Sequence, residues 1–152
     1  MTSTGNGDSF NWRSIFSSPR QRLSLILWLI AVHSFCVGLG LMFLPDVLLS
    51  LFGFTPGGER FFRAQAGVFH FVMVVVYVTA AMRFVSSPDS AYLAIAAKFI
   101  AMVFLISYYL FVVSIWLLLL SGVVDGAFGA LIAWAFSAYR RTIPAVCTRS
   151  PG

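Results

Sequence analysis

Two histidines stand in the middle of long apolar runs, His33 within Leu23–Phe43 and His70 within Phe61–Met82. Ionisable side chains at mid-membrane depth are costly and mark ligand sites or proton relays. Imidazole suits either role because it gives or takes a proton near neutral pH. The plainer reading is two neutral imidazoles, each hydrogen-bonded to a serine, a tyrosine or a backbone carbonyl of a neighbouring helix. Arg63, His70 and Tyr77 recur every seven residues and share one helical stripe, with Gly67 beside it. Ser107, Ser114 and Ser121 form a similar stripe flanked by Tyr108 and Tyr109. The candidate intramembrane polar site is therefore His33, His70, Tyr77 and Tyr108. A zinc site wants three or four His, Cys, Asp or Glu ligands, and two histidines fall short. A haem needs only two axial ligands, but helices this rich in phenylalanine leave little room for one. No cofactor is expected. A quinone and a haem are the two occupants the histidine pair brings to mind.

A second polar group is expected at the outer end of the helices: Asp46, Glu59, Arg60, Arg63 and Asp125. An arginine at a membrane boundary normally needs a partner, and Asp125, Asp46 and Glu59 are the acids within reach of Arg63 in this reading. Asp125 precedes Gly126 and is placed to cap the last helix or to pair with Arg63. The sharper alternative is an anionic headgroup or substrate held by Arg63.

The chain contains no His-Glu-x-x-His, P-loop or Gly-x-Ser-x-Gly sequence, and no Ser-His-Asp set at one depth. Its two cysteines, Cys36 in the first apolar run and Cys147 in the polar tail, imply no disulfide framework. Of 152 residues, 60% are hydrophobic and 10% charged. Soluble domains carry roughly 25% charged residues, so lipid is the natural solvent for this surface. The net charge of +5 sits between apolar runs and makes no basic stripe, which argues against nucleic acid.

These residues need helices to position them. Leu23–Phe43 is 21 residues without a formal charge. That suffices to span a bilayer, and it exceeds the roughly 7–15 apolar residues of a signal peptide. Pro45 ends it, and Asp46–Phe54 reads as a short surface turn or helix. Thr55-Pro56-Gly57-Gly58 is a loop signal before the second run, which closes at Arg83. Ala91–Tyr139 is apolar almost throughout for 49 residues. A single helix of that length would measure about 74 Å against a hydrocarbon core of about 30 Å. It must fold back, and Ser121-Gly122 is the turn-like dipeptide. The expected fold is all-α, a four-helix transmembrane bundle with helices at about 23–43, 61–82, 92–119 and 123–140. Residues 1–22 and 142–152 are polar tails, the first with a short interfacial helix around Phe10–Phe16. In the last helix, Gly122, Gly126 and Ala130, and beside them Gly129, Ala133 and Ser137, repeat the small-xxx-small spacing of close helix contact.

Orientation follows from the positive charges. With the N-terminus inside, Arg13, Arg20, Arg22, Arg83, Lys98, Arg140, Arg141 and Arg149 lie inside, and Arg60 and Arg63 outside. Both termini are thus expected in the cytoplasm, with Lys98 snorkelling to the inner headgroups.

His33, Gly38-Leu39-Gly40, Phe43-Leu44-Pro45 and Leu51-Phe52-Gly53 resemble the first half of small bacterial four-helix membrane proteins of the DoxX-like kind. Phe62-Arg63, Gly67, Tyr77, Ala80-Ala81 and Asp125 continue the resemblance, which covers roughly residues 24–140. It implies an association with membrane oxidoreductase complexes or quinone chemistry, although no residue supplies a redox centre. Three functional readings follow. The first is a non-enzymatic accessory subunit or binder of a lipid-like ligand in the cell membrane. The second is a quinone-interacting component of an oxidoreductase complex, using His33, His70 and Arg63. The third is a small transporter working as an oligomer. The expected partners are the bilayer and a membrane protein or a second copy of the chain.

Overall fold

Proline placement decides where the first helix begins and ends. In a computed structural model describing residues 18–54 and 60–143, helix α1 spans Pro19–Phe43 with proline in its first turn. The fixed φ of proline suits that position, and its missing N–H would have no helical acceptor there. Before Pro45 the chain turns extended at Leu44. A five-residue helix α2, Asp46–Ser50, follows. Helix α3 spans Arg60–Arg83, α4 spans Asp89–Phe111 and α5 spans Trp116–Arg141. All regular structure among the described residues is helical. The four long helices have 25, 24, 23 and 26 residues, and each is apolar enough to cross a membrane. At 1.5 Å per residue they measure about 35–39 Å, so each covers a hydrocarbon core of about 30 Å. The chain is on these grounds a multi-pass membrane protein. Its outward surface agrees, with Phe43, Phe69, Val75, Ile100 and Phe111 all more than half exposed.

The fold-back of the long apolar stretch differs from expectation. It lies at Val112–Ile115, and Ser121-Gly122 falls inside α5. The turn Val112-Val113-Ser114-Ile115 forms without glycine or proline, where α4, already 23 residues long, has covered the hydrocarbon core. Val112 departs from helical geometry, and the amides of Val112 and Val113 both close on the Tyr108 carbonyl. The serine stripe dissolves accordingly: Ser107 is on α4, Ser114 in the turn and Ser121 on α5.

Helices α1 and α3 pack mainly on each other, as do α4 and α5, with smaller contacts joining α1 to α5 and α3 to α4. The bundle is thus two helical hairpins side by side. Its apolar core occupies one end only, where α1 begins and α5 ends. There Leu23, Leu27 and Ile30 of α1 meet Ala80 of α3 and Phe84 just after it, Ala91 and Ala94 of α4, and Ile132 and Phe136 of α5. Phe84 meets Tyr139, and Tyr92 meets Phe136, both edge to face. Beyond the level of Ser34 and Lys98 the buried residues of the four long helices are glycines: Gly38, Gly67, Gly122 and Gly126, with Gly129 level with Lys98. Each of these serves contact within its own hairpin. A Cβ on Gly38 would stand 3.0 Å from the Gly67 carbonyl oxygen, and one on Gly67 would stand 2.9 Å from that of Gly38. The far end is tied by Phe52 against Trp116, with Gly53 at φ 90° letting the chain turn beneath Ile115.

Candidate functional site: a polar cluster at mid-depth

Where the apolar core stops, polar side chains from all four long helices begin. Lys98 of α4 donates a hydrogen bond from Nζ to Oδ1 of Asp125 on α5. The helix register makes this pair. A Cβ on Gly129 would lie 3.3 Å from the Lys98 Cβ, so the two backbones are level there. Asp125 is one turn nearer the far end, and the four-carbon stem of Lys98 bridges the difference. The lysine side chain is 4% exposed and the aspartate 13%. The Lys98 ammonium lies 5.2 Å from the ring centre of Tyr77 on α3 and 5.4 Å from that of Phe128 on α5. Phe128 in turn meets the imidazole of His33 edge to face, with centroids 5.1 Å apart.

The first hairpin carries its own polar pair. His70 Nδ1 lies 3.1 Å from the Ser34 hydroxyl, which is also 3.4 Å from the His70 carbonyl oxygen. Ser34 has one hydrogen to give. If it goes to Nδ1, Nε2 carries the ring proton and is a donor. If it goes to the carbonyl, Nδ1–H donates to Ser34 and Nε2 is an acceptor. Either way Nε2 remains for another partner, and no buried side-chain nitrogen or oxygen among the described residues lacks one. The Nε2 atom therefore opens onto accessible space. Phe128 lies between the Lys98 ammonium and the His33 ring, and Ser34, the next residue of α1, meets His70, which links these groups in one neighbourhood.

The depth of this neighbourhood is set by helix length. His33, His70 and Asp125 each stand about nine or ten residues, roughly 13–15 Å, from the far end of their helices. That is close to the middle of a hydrocarbon core. On insertion scales a lysine or aspartate there costs about 2.5–3.5 kcal/mol apiece unless paired. Lys98 and Asp125 balance each other's charge. The cluster offers hydrogen-bond donors and acceptors to a polar but uncharged group.

Several sequence expectations are redistributed. Asp125 belongs to this cluster and not to the far-end one, because the turn at Val112–Ile115 sets it well inside α5, where it neither caps the helix nor reaches Arg63. Lys98 is paired within the bundle and does not snorkel to headgroups. Tyr108 stacks on Phe104 near the end of α4, about 15 Å along the helix from Lys98, and is not brought to the site. Arg63 pairs with Asp46, Nη1 to Oδ1 at 2.7 Å, and Arg60 stands 4.0 Å from the same carboxylate. Glu59, Cys147, the Phe10–Phe16 segment and the Thr55–Gly58 loop lie outside the described residues. His33 is exposed on α1, its ring against Phe128, while His70 is half-buried against α1. Among the described residues no three His, Cys, Asp or Glu side chains converge as a metal site. The member of this cluster that sequence reasoning missed is Lys98. Its signal was present: one lysine and one aspartate stand alone in a 49-residue apolar stretch that must fold back on itself.

Comparison with family models, with curated proteins and with solved structures finds no match for this chain.

Proposed function

We propose that this protein is a non-enzymatic membrane protein that binds an uncharged, lipid-like molecule between its two helical hairpins. Its polar head would sit at Lys98, Asp125, His33 and His70, and its tail would run between the hairpins toward the far end. The observation that carries this reading is the mid-depth cluster itself. Buried ion pairs are often no more stable than apolar residues of the same volume, so stability alone is a poor reason to keep one in lipid. Beyond the cluster the long helices bury only glycines, which leaves apolar side chains for a lipid-like tail to lie against. A quinone fits the chemistry well: its carbonyl oxygens accept hydrogen bonds from an imidazole N–H or an ammonium, and its tail is apolar. The DoxX-like resemblance points to the same ligand class.

The orientation proposed has both chain termini on the cytoplasmic side of the cell membrane. Moving Lys98 from the inner count to mid-depth leaves seven positive residues inside against Arg60 and Arg63 outside, and the bias persists. Extraction in mild detergent followed by mass spectrometry of everything retained tests the function. A single class of uncharged amphiphile at a fixed ratio supports ligand binding. A stoichiometric protein partner with no small molecule would favour an accessory subunit instead.

A further inference from the structure

The far end of the bundle has a second polar feature with a different charge balance. A cavity of about 210 Å³ opens where α1 gives way to α2 and α3 begins, lined by Met42, Phe43, Pro45, Asp46, Arg60 and Arg63 among others. Two guanidinium groups share one carboxylate there. Arg63 gives one N–H, from Nη1, to Asp46. A guanidinium has five N–H donors, so four remain. Arg60 is 82% exposed at its side chain and touches the same carboxylate only at 4.0 Å. Among the described residues two guanidinium groups thus face one carboxylate at the cavity, and most of their N–H donors have no described acceptor.

The shape of the deficit matches one chemistry. Guanidinium groups bind phosphate oxygens with paired N–H donors, more specifically than a point charge does. At roughly 30 Å³ per water, the cavity holds about seven waters' worth of volume, enough for a phosphate and part of a glycerol. Its other wall is apolar, formed by Met42, Phe43 and Pro45, with Phe43 72% exposed. The level is that of helix ends, where phospholipid phosphates lie if the four helices span the bilayer. We infer that Arg60 and Arg63 form a binding site for the phosphodiester of an anionic phospholipid, separate from the mid-depth cluster. The open guanidinium donors would meet the phosphate oxygens, and a headgroup that also bears an ammonium would bring a further cation against Arg60.

Native mass spectrometry of the full-length protein, titrated with phosphatidylglycerol or phosphatidylcholine, tests this directly. Wild type should retain phosphatidylglycerol about tenfold better than phosphatidylcholine. Arg63→Gln should abolish that preference. Because Arg63→Gln also removes the closest ion-pair contact of Asp46, Arg60→Gln is the decisive variant. It should weaken phosphatidylglycerol retention several-fold with an unchanged Tm, whereas Arg140→Gln, at the opposite end, should change nothing. The inference is overturned if Arg60→Gln binds as wild type does, if both lipids bind equally, or if millimolar inorganic phosphate strips the lipid as readily from wild type as from Arg60→Gln. None of these outcomes bears on the mid-depth ligand, whose retention is read separately in the same spectra.

Discussion

Lys98 and Asp125 respond oppositely to single and double substitution if they are held as a pair. Removing one partner leaves an uncompensated charge in an apolar interior, at a cost of about 3–5 kcal/mol. Lys98→Met should therefore lower thermal stability sharply, and Lys98→Met with Asp125→Leu should recover most of the loss. Measurement of Tm in one detergent for both proteins checks this. Equal Tm for wild type and Lys98→Met would show the pair is not formed. The same logic applies to His70 at smaller scale. Ser34 is 1% exposed and has the His70 ring and carbonyl as partners. His70→Phe removes the ring nitrogen that Ser34 meets, at a cost of about 1–3 kcal/mol. Adding Ser34→Ala should restore part of it, and failure to do so would refute the hydrogen bond as the cause.

At the scale of elements, glycine contacts decide how close each hairpin packs, and they are unequal. A methyl on Gly38 meets the Phe71 ring at 2.9 Å and the Gly67 carbonyl at 3.0 Å, and a carbonyl cannot step aside without moving its helix. A methyl on Gly126 meets the Met102 sulfur, on a side chain with several rotatable bonds. Gly38→Ala should cost about 1–3 kcal/mol by overpacking and Gly126→Ala clearly less. A chemical-denaturation series in detergent ranks the two, and the reverse order would contradict the packing described. The turn has its own test. With Cys36 and Cys147 replaced by serine, single cysteines at Val113 or Ser114 should react with a membrane-impermeant thiol reagent. Cysteines at Ser121 or Gly122 should not.

How legible these elements were depended on what punctuates them. Apolar runs bounded by Pro45, Arg83 and Arg140-Arg141 announce long helices, because charge and proline leave the hydrocarbon together. The Val112–Ile115 turn lacks both marks. It is made of residues that lipid tolerates and that carry no turn signal, so composition hides it. That one displacement carried Asp125 from the middle of the bilayer to its edge and so concealed its pairing with Lys98. His33 and His70 stood out because two imidazoles in apolar runs are conspicuous on their own. Their particular neighbours, Phe128 and Ser34, depend on helix register that no local pattern encodes.

At the scale of the whole molecule, the two hairpins join through an apolar core at one end and part in packing density at the other. The polar cluster lies at the boundary between these halves. Reporter fusions after Phe54 and after Arg141 should give opposite signals, with the Arg141 fusion cytoplasmic. The central claim is that the cluster holds a molecule and does not merely hold the helices. The most direct measurement compares small-molecule retention by wild type and by Lys98→Met with Asp125→Leu, purified side by side and read by mass spectrometry at matched Tm. The account predicts that the double variant keeps the fold and loses the uncharged amphiphile that wild type carries. A folded double variant that retains the same molecule at the same ratio would contradict it.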